Sequence, residues 1–76
     1  MNNVDRVKEW FKEDSIEGVT VTEMEQTYVE VAVMLRSGAL GISVNPNTSK
    51  RTLRKHYKRE LAFIKEHILP YQGAVQ

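Results

Sequence analysis

Apolar positions change rhythm twice along the chain. In residues 3–14, Val4, Val7 and Phe11 recur at i, i+3 and i+7 with Trp10 beside them, the spacing of one helical face. Asn3 is placed to cap the first turn, Asp5 puts a negative charge where the helix dipole favours it, and Gly18 breaks the pattern. The period then shortens to two: Val29, Val31, Val33 and Leu35 alternate with other residues, as do Leu40, Ile42 and Val44, amid dense β-branched positions. The helical rhythm returns with Leu53, Tyr57, Leu61, Ile64 and Ile68, a single apolar stripe.

These rhythms predict an α+β fold in the order α-β-β-β-α. Strands at Val19–Met24, Tyr28–Leu35 and Ala39–Asn45 would form a three-stranded antiparallel sheet, with two helices packed on one face. Arg36-Ser37-Gly38 suits a three-residue loop built on a type I turn and a G1 bulge. Asn45-Pro46-Asn47-Thr48 is turn chemistry, Thr48 or Ser49 can cap the helix that follows over 49–69, and Pro70 ends it. Residues 71–76 read as a flexible tail.

A rival reading stays open for the middle of the chain. Thr22 and Glu25 form a capping-box pattern, Gly38 falls where a C-terminal cap belongs, and Met24, Tyr28, Val31 and Leu35 would line one face of a helix over 22–37. The result would be a mostly α, three-helix domain of helix-turn-helix type. It leaves Val29 and Val33 exposed and gives Leu40–Val44 only Val19–Val21 as a partner strand. The strand reading has its own weak point, a turn near Glu25-Gln26-Thr27 without glycine, asparagine or proline.

Length and composition narrow the classes of function. A chain of 76 residues makes one domain, 1–76, and buries only about 60% of its unfolded surface, so its core is thin. The lack of cysteine excludes a disulfide framework and any thiolate metal site. No apolar run approaches the roughly 20 residues needed to span a bilayer, and the first residues lack signal-peptide character. The expectation is a cytoplasmic protein without a membrane partner.

The net charge of +1 conceals a segregation. Residues 1–35 carry 3 basic and 8 acidic groups (−5), and residues 36–76 carry 8 basic and 2 acidic groups (+6). Six of the ten residues from 50 to 59 are cationic: Lys50, Arg51, Arg54, Lys55, Lys58 and Arg59. At about 100° per residue, Arg51, Arg54, Lys55, Lys58 and Lys65 share a flank beside the apolar stripe, with Arg59 further round. Lys50 and Arg51 sit at the helix end where cations oppose the macrodipole, so helix stability does not account for them. Phosphate neutralisation with counterion release does, and these six residues are the candidate nucleic-acid contacts, to DNA or RNA. An acidic protein is the competing partner, in which case the chain is an inhibitor or adaptor module.

Two families resemble parts of this pattern. The element order, Tyr28-Val29-Glu30-Val31-Ala32-Val33 and the helix start Ser49-Lys50-Arg51-Thr52-Leu53-Arg54 resemble the double-stranded-RNA-binding domain. That resemblance implies a phosphate-contact role for Lys50, Arg51 and Arg54. The chain lacks the family's Gly-Pro-x-His loop between the first two strands, carries an extra segment at Asn45–Thr48, and has Leu53, His56 and Tyr57 where the family has alanines. Residues 52–61, with Gly41-Ile42-Ser43 upstream, resemble the recognition-helix region of bacteriophage helix-turn-helix proteins, though eight residues intervene where the family has about two. This implies a small regulatory protein of phage or mobile-element origin.

Other chemistry is sparse. His56, Glu60, Phe63 and His67 follow one another along a helical stripe, but too far apart for a closed metal site. Phe63, flanked by His56 and His67, is instead a candidate interface residue, for a homodimer among others. No serine has a histidine nearby in sequence, and the glycines form no phosphate loop, so neither an enzyme nor a cofactor is expected.

Overall fold

The computed structural model describes residues 1–25, 29–36 and 38–70. Its element order is α1 (Asn3–Glu13), β1 (Val19–Glu23), β2 (Val31–Arg36), β3 (Ala39–Val44) and α2 (Lys50–His67). The domain is therefore α+β, and the helix over 22–37 does not form. Val31–Arg36 is a strand, and the preceding helix that a helix-turn-helix motif requires is missing from these residues. Strand pairing buries Val31 and shelters Val33, which a helix would have left in water.

The sheet is mixed rather than antiparallel. Its order is β1-β3-β2, with β2 antiparallel to β3 and β1 parallel to it. β1 and β2 lie on opposite sides of β3, so the connection between them is a crossover and not a tight turn. Met24 N–H donates to the Val44 carbonyl and Asn45 N–H to the Glu30 carbonyl, each at 2.9 Å, so β3 is flanked on both sides at that end. Val29 and Glu30 belong to this crossover and not to the strand; Gln26, Thr27 and Tyr28 lie outside the described residues. Arg36 pairs with Ala39, which leaves a two-residue loop rather than three residues, and Gly38 takes a φ of 78° that favours glycine. The predicted tail at 71–76 also lies outside the described residues.

Alternation sorts the sheet into two faces. Val21, Val31, Leu40, Ile42 and Val44 join Val7, Trp10, Phe11, Leu53, Tyr57, Ile64 and Ile68 in one core. The other parity presents Thr20, Thr22, Ser43 and Met34, with Thr22 and Ser43 hydroxyls 3.3 Å apart. No described helix is long and apolar enough to cross a membrane.

Helix α1 is capped by Asn2, whose Oδ1 accepts from Asp5 N–H at 2.8 Å, and not by Asn3. Asn3 is buried and holds the molecule together at a distance. Its Nδ2 donates to the carbonyls of Asn45 (2.9 Å) and Thr48 (2.8 Å). The helix closes with Ile16 N–H donating to the Phe11 carbonyl and Ser15 N–H to that of Lys12, around a left-handed Ser15 at φ 60°.

Candidate nucleic-acid interface

The start of α2 is fixed from three directions. Asn45 is buried; its Oδ1 accepts from Asn47 N–H at 2.9 Å, and its Nδ2 donates to the Val29 carbonyl at 3.3 Å. Asn3 grips the same turn from α1. Ser49 then caps the helix, accepting from Thr52 N–H at 3.3 Å and donating to Thr52 Oγ1 at 3.1 Å. The sequence marks Asn45–Thr48 as a turn but carries no sign that Asn3 is its partner, because the contact joins residues 42 apart.

Leu53, Tyr57 and Ile64 anchor the helix, each with no exposed surface. Tyr57 is the pivot. Its ring meets Trp10 at 5.2 Å and Phe11 edge-on at 5.1 Å, and its O–H donates to Asp14 Oδ2 at 2.6 Å. Burial pushes the phenol far above its ordinary pKa, and the hydrogen bond and negative charge of Asp14 push the same way, against the Arg54 cation. The hydroxyl is thus a fixed donor rather than an acid–base group.

That anchoring turns the rest of the helix outward. Lys50, Arg51, Lys55, Lys58 and Arg59 are exposed. Among the described residues the close contacts between basic side chains and carboxylates are His56 with Glu30 at 3.7 Å and His67 with Glu66 at 3.8 Å, so none of these five cations is matched to a carboxylate. The first turn of α2 contains no acidic residue. Among the described residues, no carboxylate of the N-terminal half pairs with a lysine or arginine of α2.

Arg54 stands apart from the other five. It is half-buried, with its guanidinium carbon 4.9 Å from the Trp10 ring centre and 5.3 Å from that of Tyr57. Its Nη1 is buried with no hydrogen-bond partner among the described residues. Cation–π contact over two rings makes it part of the α1–α2 packing. Wheel geometry places Arg54 beside Lys55 and Lys58 but does not reveal that Trp10 lies beneath it.

On the opposite flank, Phe63 is 48% exposed with its ring 4.9 Å from that of His67. His56, one of the three candidate interface residues, is drawn to Glu30 at the entrance to β2. No group of three or more potential metal ligands occurs among the described residues. Compared with protein-family models, curated proteins and solved structures, the chain matches none.

Proposed function

We propose that the domain binds nucleic acid through the outer ridge of α2, as a small regulatory protein rather than an enzyme. Arg51, Lys55, Lys58 and Arg59 contact successive backbone phosphates, with Lys50 at the helix start and Lys65 nearly two turns beyond Arg59. The observation that carries this reading is that, among the described residues, the exposed cations have no carboxylate partner, on a helix whose other side is locked into the core. On this reading the phosphate role implied by the double-stranded-RNA-binding resemblance falls to Lys50 and Arg51. Arg54 supports the helix from behind. Backbone N–H groups at the start of α2 add to the attraction for phosphate.

Fluorescence anisotropy with duplex DNA, duplex RNA and single strands, each at two salt concentrations, tests it. Four phosphate contacts give a salt slope of about −3.6, or a loss of roughly 100-fold in affinity between 50 and 200 mM salt. The variant Lys55→Glu/Lys58→Glu, both at exposed positions, is expected to lose binding with an unchanged circular-dichroism spectrum. No anisotropy change with any of these polymers at low salt ends the proposal. The second reading, an inhibitor or adaptor for an acidic protein, is favoured by the exposed Phe63, since aromatics and arginine are enriched at protein interfaces.

A further inference from the structure

A cleft opens on the side of α1 turned away from α2. At about 100° per residue, Lys8 and Lys12 each stand about 160° round α1 from Trp10, the residue that meets Arg54 and Tyr57. Beside them, between the second half of α1 and the start of β1, lies a cavity of about 360 Å³. Phe11 and Val21 form its floor, and both belong to the core. Ile16 and Val19 form its walls, packed against that core and partly buried. The volume falls at the small end of the range for small-molecule sites, which are mostly apolar with a few convergent polar groups.

The link from α1 to β1 gives the cleft its shape. Two left-handed residues, Ser15 at φ 60° and Gly18 at φ 77°, turn the chain back toward the sheet. The bond from Ile16 N–H to the Phe11 carbonyl, at 2.9 Å, holds that wall in place. Gly18 leaves the mouth clear, since a Cβ built there would meet no atom within 4 Å. The cleft is therefore formed before any ligand arrives.

Its cations have no internal use. Lys8 and Lys12 are exposed, and among the described residues neither is matched to a carboxylate. Lysine stems cover apolar surface while their ammonium groups stay in water. One helical turn separates the two, about 6 Å along the axis, so both serve the same mouth. Ser15 adds a hydroxyl to the rim, and Glu17 supplies its one negative charge. Two lysines against one glutamate leave a formal +1.

We infer that this cleft binds a small aromatic carboxylate, with its ring against Phe11 and Val21 and its charge between Lys8 and Lys12. A single negative charge balances the rim, and each carboxylate oxygen can accept from one ammonium group. A second negative charge on the ligand would meet Glu17. A rigid ring suits the floor better than an alkyl chain, because it loses no internal rotation on binding and gains contact with the Phe11 ring. The site is independent of nucleic-acid binding. Arg6, Glu9, Glu13 and Lys50 line a separate cleft on the other flank of α1, between this mouth and the α2 ridge.

Naphthoate is a suitable probe, with naphthalenemethanol as its uncharged counterpart. Amide resonances of the isotope-labelled chain report where each one binds. Naphthoate is expected to give saturable shifts confined to residues 8–21, with a dissociation constant on the order of 1 mM or below. The alcohol is expected to bind about tenfold more weakly, for want of the charge-assisted hydrogen bonds. Lys8→Met/Lys12→Met keeps the apolar stems at exposed positions, so its spectrum stays folded while naphthoate falls to the affinity of the alcohol. Shifts that do not saturate, or that centre on the α2 cations, overturn the inference. Equal affinity for acid and alcohol, or unchanged naphthoate binding in the double methionine variant, also overturns it.

Discussion

The two flanks of α2 are written in the same residue types and obey different physics. Toward α1, Arg54 lies over Trp10 and Tyr57, and the Tyr57 hydroxyl is tied to Asp14. Toward solvent, Arg51, Lys55, Lys58 and Arg59 have no carboxylate partner among the described residues. A cation that stacks on rings contributes through contact area and desolvated charge, and its value is realised in folding. A cation alone on a ridge contributes little to folding and is free for a partner. Counting charges on the helix merges these two populations, and substitution separates them.

Tyr57→Ala has the largest expected effect, because it empties the middle of the inner flank. Loss of a fully buried aromatic costs about 3–5 kcal/mol, a large share of what a domain of this size has to lose. Urea titration followed by circular dichroism reads it. A loss below about 1 kcal/mol is incompatible with Tyr57 as the pivot between the helices.

Arg54 and Lys55 then provide a matched pair of neighbours. Arg54→Ala is expected to lower stability by about 1–2 kcal/mol through lost stacking and packing, whereas Lys55→Ala stays within about 0.5 kcal/mol of the parent. Nucleic-acid affinity is expected to fall more for Lys55→Ala than for Arg54→Ala when both are measured well below their unfolding midpoints. If the two substitutions have the same effect in both measurements, the two flanks are not distinct.

Much of this domain is legible in its sequence. The alternation at Val31–Leu35 and Leu40–Val44 marks two strands, and the stripe from Leu53 to Ile68 marks the buried side of α2. Local spacing reports these because it is a property of each element alone. Direction and partner are not local. Nothing in Val19–Glu23 distinguishes a strand parallel to β3 from one antiparallel to β2; the path of the crossover decides, and it is secured by Asn45 bonding to Val29. The same applies to Asn3, where the sequence offers two adjacent asparagines and the fold uses Asn2 as the cap and Asn3 as a long-range tie. For the candidate interface, the exposed cations are readable from the wheel. The exception of Arg54 is not, since it depends on which helix lies alongside.

The smallest expected effect is also the most discriminating, since it sets folding against binding on the outer flank. Lys50 and Arg51 occupy the first turn of α2, where Ser49 supplies the cap and no acidic residue offsets the dipole. Replacing both with glutamate reverses an unfavourable charge–dipole contact and is expected to raise stability by several tenths of a kcal/mol, with the gain shrinking as salt is added. The same change removes two cations from the ridge and sets two negative charges facing the phosphates. Thermal unfolding and anisotropy on one preparation are therefore expected to move in opposite directions, with a higher midpoint and weaker binding. A variant that is more stable and binds as before would show that these two cations serve neither the helix nor a phosphate partner.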